Sequence, residues 1–171
     1  MSEDDEKDET QTPPWLFKAL DAEFHFGLDA FASEANALCP RFIDRAMDAY
    51  ATNWAAVKDN PELAIFANPP YSELKKAIPK MADAGKASVV VGLFPPGVCS
   101  KAWHECVMRC AAEVRFPNKR IQFLRNGKPI LTADGRRRSN DRDSAVVVWR
   151  PGIHGPTWTS MDVDALRRLY E

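Results

Sequence analysis

Four consecutive residues, Asn68-Pro69-Pro70-Tyr71, end the short apolar run LAIFA at 63–67. The two prolines lock φ and remove two backbone donors, so the turn is rigid and its carbonyls point outward. The Asn68 side-chain oxygen and the Pro69 carbonyl can then both accept hydrogen bonds from a planar –NH2 group. Pulling on both hydrogens helps localise a nitrogen lone pair that is otherwise delocalised into a ring or an amide. Tyr71 can lie flat against that ring. The turn suits an amine that attacks an electrophile without first losing a proton.

The elements around this turn alternate between strand and helix patterns. Thr12-Pro13-Pro14 before WLFKAL reads as a helix start, with Thr12 as its cap and prolines in the first turn. FHFGLDAFA (24–32) reads as a buried strand ending at Asp29, and LAIFA as a second strand. SELKKAIPKMADAG (72–85) predicts a helix with a capping-box-like start, a kink at Pro79 and a glycine stop. ASVVVGLFP (87–95) is a strand buried on both faces, and SKAWHECVMRCAAE (100–113) a helix. RIQFL (120–124) and SAVVVW (144–149) read as an antiparallel hairpin at one sheet edge, with a last helix over 161–171. The expected fold is therefore α/β: a mostly parallel sheet with covering helices and a C-terminal β-hairpin.

Ligands of such sheets bind beyond the carboxyl ends of the strands. Asp29, Asn68 and the loop 125–143 are all expected on that one rim. The loop is basic. Residues 101–150 hold twelve Lys and Arg against five Asp and Glu, although the whole chain has a net charge of −1. A local surplus of this kind is the footprint of a polyanion partner. Lys119, Arg120, Arg125, Lys128, Arg136, Arg137, Arg138 and Arg142 are the candidate phosphate contacts.

Taken in order along the chain, these features resemble the phage-type, Dam-like DNA N-6-adenine methyltransferases, which use S-adenosylmethionine. The matching residues are Thr12-Pro13-Pro14 with Leu16-Phe17, Phe26-Gly27-Leu28-Asp29 with Ala30 to Ser33, Asn36, and Cys39-Pro40-Arg41-Phe42. They continue through Trp54, Asn68 to Tyr71, the 88–96 strand, Trp103, and the 120–123 and 145–149 strands. The resemblance implies a Rossmann-like methyltransferase sheet of seven strands, the seventh antiparallel, with helices on both faces. It implies that Thr12, Pro13 and Phe17 line the cofactor pocket, with Asp29 and Phe31 beside the methionine moiety. Asn68, Pro69, Pro70 and Tyr71 would hold a target adenine flipped out of DNA. Two features depart from the pattern: the turn AFASEAN after Asp29 has no glycine, and Asn53 stands where the family commonly has an aspartate. Asp48 or Asp59 could substitute for that aspartate at the cofactor.

Other readings of the same motif remain open. Cytosine N4, adenine in RNA and a protein glutamine each present a conjugated –NH2, and a catalytically silent nucleic-acid-binding relative would keep the basic loop. No metal is expected, because Cys39, Cys99, Cys106 and Cys110 form no ligand set with His25, His104 or His154. The expected organisation is a disordered acidic tail at 1–11 and one domain over 12–171. No apolar stretch reaches the ~20 residues of a membrane span, and no secretory pattern opens the chain. The expected compartment is the cytoplasm of a bacterial cell, the chain being encoded by host or phage.

Overall fold

The protein is described by a computed structural model over residues 10–136 and 142–171. Six strands build one sheet: β1 (Phe26–Asp29), β2 (Ala64–Ala67), β3 (Val90–Phe94), β4 (Glu113–Pro117), β7 (Ala145–Trp149) and β8 (Thr157–Met161). Two short strands between them, β5 (Leu124–Arg125) and β6 (Lys128–Pro129), form a separate antiparallel hairpin. The sheet order is β1-β2-β3-β7-β4-β8. β1, β2 and β3 are mutually parallel, as are β4 and β8, and β7 alone runs against both of its neighbours. The resemblance implies seven strands; among the described residues the sheet has six.

Successive strand side chains point to opposite faces, and the buried residues sort accordingly except in β1, where the register shifts between Phe26 and Leu28. Leu28, Ile65, Ala67, Val90, Val147 and Trp149 join Ala77, Ile78 and Met81 of helix α3 (Leu74–Ala84) in one cluster. Phe26, Phe66, Val91, Leu93, Val146 and Val148 join a second cluster. It includes Trp15, Leu16 and Leu20 of α1 (Pro14–Phe24) and Val163 of α4 (Val163–Tyr170). The short α2 (Trp54–Val57) buries Trp54.

Three further expectations need correction. The run 144–149 is not at an edge; β7 lies inside the sheet between β3 and β4, with Val91 opposite Val148 and Val114 opposite Val147. All five of its residues are buried, as an internal strand requires. Residues 120–124 are not its partner. Ile121 and Phe123 are buried because they pack into the second cluster, and the hairpin begins only at Leu124. The helix expected over 100–113 stops early, with a π-helical Trp103–Met108. There the Trp149 indole donates to the Cys106 carbonyl at 2.9 Å and Cys110 Sγ to the Glu105 carbonyl, drawing oxygens from the helical ladder.

β4 and β8 have no apolar run to reveal them. In β4, Arg115 binds Glu113 and Glu23, Arg150 binds Glu113, and both guanidinium groups lie over the Phe24 ring. The expected glycine stop at Gly85 has a different basis. Its φ is −62, an ordinary helical value, but a Cβ there would lie 2.4 Å from Trp149 Cβ. Close approach, not backbone freedom, calls for glycine.

Candidate active site

Asp29, the last residue of β1, stands in register with Phe66 on β2, and Asn68 follows two residues later. Parallel pairing thus carries both polar groups past the ends of adjacent strands, about 4.8 Å apart laterally. They open into a cleft of about 960 Å³ lined also by Thr12, Phe31, Asp48, Tyr50, Pro70, Glu73 and Asn126. That volume is at the upper end of ligand pockets, which run to ~1,000 Å³. Asn126 is the turn of the β5–β6 hairpin. Asn126 and Gly127 both have positive φ (50 and 70), the conformation an Asn-Gly hairpin turn adopts. The rim expected to gather Asp29, Asn68 and the start of the 125–143 loop does gather them.

The N-terminal segment closes one wall. Gln11 exchanges backbone hydrogen bonds with Leu124 at 2.8 and 2.9 Å, and its side chain accepts from Gly127 N–H at 2.8 Å. Gln11, expected in the tail, is therefore tied to the hairpin; residues 1–9 lie outside the described residues. Thr12 does not cap α1, whose N-cap is Pro13 without a side-chain bond. Its buried hydroxyl instead accepts from Asn68 Nδ2 at 3.0 Å.

Asp29 is 3% exposed. Its Oδ2 accepts from Leu38 N–H at 3.2 Å, while Oδ1 is buried with no hydrogen-bond partner among the described residues. Burial pushes its carboxyl up to about 6, opposed in part by the backbone N–H dipoles of Leu38 and Phe31. Asp29 lines the cleft as an acceptor-only carboxylate, which fits a cationic ligand group, but Oδ1 itself has no accessible surface and meets such a group only if the side chain turns. The methionine ammonium of S-adenosylmethionine is such a group. Neighbouring Cys39, desolvated and beside Asp29, is pushed up to about 12 and is an unreactive thiol.

The glycine-free turn is physically consistent. Among residues 30–38 none has positive φ, and Asn36 Oδ1 holds the bend by accepting from Ser33 N–H at 2.7 Å. Asn53 has a structural role. It caps α2 by accepting from Ala55 N–H at 3.1 Å, a role in which Asp and Asn are equivalent. Asp48 does line the cleft, its Oδ1 accepting from Tyr50 N–H and its φ at +52.

Not every expected residue reaches the cleft wall. Pro13 lines a separate cavity of about 290 Å³ beside Trp15, Phe123 and Tyr170. Phe17 lies in the core, its ring 5.4 Å from Phe26 and 5.3 Å from Phe66, so only Phe66 transmits its position to the cleft. Pro69 is buried, and Tyr71 is half-buried with its ring edge-on to Phe123 at 6.4 Å. Of the basic residues, Lys119 pairs with Asp164, Arg120 with Asp143 and Arg136 with Asp134. Arg125 and Lys128 face each other in register in the hairpin, and Arg142 is exposed. Arg137 and Arg138 lie outside the described residues. Among the described residues no group of three or more His, Cys, Asp or Glu is placed to hold a metal. None of the described helices is long and apolar enough to cross a membrane.

The family model of the DNA N-6-adenine-methyltransferases (Dam) matches residues 1–168 of the 171. The chain belongs to the Dam family. No curated protein matches it. Membership in the Dam family places the chain among DNA methyltransferases.

Within this Dam-family cleft, the sequence motifs pass over several residues. Tyr50 donates to Glu73 at 2.7 Å across the cleft wall, and its ring lies 5.7 Å from that of Phe31. Nothing in their spacing joins two residues 23 positions apart. Asn126 has a readable signal, the Asn-Gly pair, which marks a hairpin turn. Lys58 has none and lies outside the cleft, buried at the amino ends of β2 and β3, where it donates to the Pro61 and Leu63 carbonyls and to Ser88 Oγ.

Proposed function

We propose that this chain transfers a methyl group from S-adenosylmethionine to the N6 amine of adenine in DNA. The observation that carries this reading is the pairing, in one cleft, of Asn68 at the end of β2 with the buried Asp29 carboxylate at the end of β1. One is an acceptor for an amine and the other a partner for a cation. Family membership narrows the amine to adenine N6. The architecture is read as Rossmann-like, with helices against both faces. The division of the buried residues into two clusters supports that reading.

Adenine inside a duplex cannot present N6 to a bound cofactor, so the base is flipped into the cleft. Asn68 Oδ1 and the Pro69 carbonyl accept the two N6 hydrogens and direct the nitrogen lone pair. Tyr71, half-buried and edge-on to Phe123 beside the cleft, turns toward it to stack on the base, a contact worth roughly 1–3 kcal/mol. Asp29, Phe31 and Asp48 form the cofactor side, with Phe17 (behind Phe66) and Pro13 supporting that wall and Thr12, bonded to Asn68, on the target side of the cleft. Bound there, S-adenosylmethionine would supply an electrophilic methyl that already carries its leaving group. The chain's task is position and electrostatics. After transfer the amine loses its extra proton to water or a carbonyl. The hairpin, with Lys119, Arg120, Arg125, Lys128, Arg136 and Arg142, is the surface assigned to the DNA backbone, and Arg137 and Arg138, outside the described residues, are assigned to it by charge alone.

The test is methylation of mixed DNA with methyl-labelled cofactor, followed by nucleoside analysis. Label in N6-methyladenine is expected. Label in N4-methylcytosine, or none in DNA, overturns the reading.

A further inference from the structure

From the pairing of Thr12 and Asn68 we infer that Thr12 is a positioning residue whose hydroxyl fixes the direction of the Asn68 amide for methyl transfer. The inference rests on the adenine N6 reading and adds a residue to it.

An asparagine amide turns through two nearly equivalent orientations, because its last torsion is broad and two-fold. Only one orientation serves a target amine. With Oδ1 toward the amine, two donors meet an acceptor; with Nδ2 toward it, N–H groups face N–H groups. The choice is therefore part of the chemistry. In the structure Nδ2 donates to Thr12 Oγ1 at 3.0 Å, and among the described residues no donor occupies Oδ1. The oxygen is left to the cleft that Asn68 lines.

Thr12 is built to hold this bond. It is 5% exposed, and its hydroxyl is not used in capping the helix that follows. The residue before it is fixed by the paired hydrogen bonds between Gln11 and Leu124, and the residues after it are Pro13 and Pro14. Both flanks restrict the backbone, so the hydroxyl stays in place while the half-buried Asn68 side chain is pinned to it. A hydroxyl has lone pairs to accept with, which a methyl group lacks.

Thr12→Val keeps the shape and removes the acceptor; Thr12→Ser keeps the acceptor and removes a methyl. Each is compared with wild type and Asn68→Ala for kcat, KM for DNA, cofactor affinity by calorimetry and melting temperature. The expected result is a kcat at least tenfold lower for Thr12→Val, with KM and cofactor affinity within twofold, and a rate within threefold of wild type for Thr12→Ser. Thr12→Val should add no loss to Asn68→Ala, because the two act as one unit. It should also have little effect on Asn68→Asp, whose two oxygens need no orienting. That last comparison keeps the test decisive if Thr12→Val lowers the melting temperature: equal losses in the wild-type and Asn68→Asp backgrounds overturn the inference. So does weakened cofactor binding at unchanged kcat, which would make Thr12 a cofactor contact. Full activity in Asn68→Ala would instead overturn the role of Asn68 and this inference with it, while absence of N6-methyladenine from the wild-type reaction would overturn the function itself. A dead Asn68→Ala beside a fully active Thr12→Val overturns only the role of Thr12.

Discussion

Leu38 N–H donates to Asp29 Oδ2 at 3.2 Å and leaves Oδ1 buried without a partner among the described residues. The N–H groups of Leu38 and Phe31 do not compensate a carboxylate removed from water, which is why burial lifts this group from the usual 3.8 to about 6. The sign follows directly. Between these values the folded protein holds a proton that the unfolded chain releases, so stability of the ligand-free protein rises as pH falls through about 6. Above it the ionised group costs about 3 kcal/mol, an order-of-magnitude figure from 1.36 kcal/mol per unit. Asp29→Asn should therefore melt higher than wild type at pH 7.5. It should lose about half of that advantage by pH 5 and most of it by about pH 4.

The same carboxylate should make cofactor binding pH-dependent. A cationic ammonium beside the Asp29 carboxylate favours the ionised form, so protonation must be reversed before binding below about pH 6. Calorimetric Kd for S-adenosylmethionine should be roughly flat from about pH 8 to 6.5, then rise up to about tenfold per unit below 6. Asp29→Asn should bind weakly at every pH with no such break. A wild-type Kd that stays level down to about pH 5 would remove Asp29 from the cofactor site.

Asn68→Ala should lower kcat to less than a tenth of wild type, a loss above ~1.4 kcal/mol of barrier, because one acceptor for the target amine is gone. Cofactor affinity should change less than twofold. Single-turnover rates with saturating DNA and cofactor measure this, and a variant above a tenth of the rate would free Asn68 from the role assigned to it.

Gly85→Ala tests the packing of α3 against β7. The added Cβ meets Trp149 Cβ at 2.4 Å, and that ring stacks on Phe94 at 6.2 Å, so relief requires moving a buried aromatic pair. Overpacking of this kind costs typically about 1–3 kcal/mol, outweighing the gain of replacing a helical glycine. Urea denaturation should show the midpoint fall with an unchanged m-value.

How much of this is legible without the fold depends on range. Asp29 and Asn68 can be placed on one rim because each ends an apolar strand, and parallel pairing does the rest. Asn126 is readable as the turn of an Asn-Gly pair. The strand Glu113–Pro117 is not, because its charges are satisfied by Glu23 and Arg150 from distant segments. Local rules misplace Thr12 for a similar reason. A threonine before Pro-Pro is a reasonable helix cap, but a residue 56 positions away takes its hydroxyl. Pairings that sequence separation hides are the ones that assemble this cleft.

The basic surface needs the same distinction between local count and spatial partner. Lys119 and Arg120 already pair with Asp164 and Asp143, so a phosphate must compete with a carboxylate for each. Lys128, on the exposed strand of the hairpin whose turn lines the cleft, has no ion pair among the described residues. If the hairpin meets the DNA backbone, Lys128→Ala should weaken DNA binding for all sequences alike. It should also reduce the slope of log K against log salt by about 0.9, the value of one phosphate contact. Lys119→Ala should change the slope by much less, since Asp164 already neutralises that lysine. Arg136, Arg137 and Arg138 replaced together should flatten the slope further while leaving cofactor affinity unchanged. Filter-binding titrations between about 50 and 200 mM salt resolve these differences, because affinity moves by roughly three- to fourfold per contact over that range. Equal slopes for Lys128→Ala and wild type would place the DNA path away from the hairpin, and a loss of site preference without a slope change would make this loop a reader of bases.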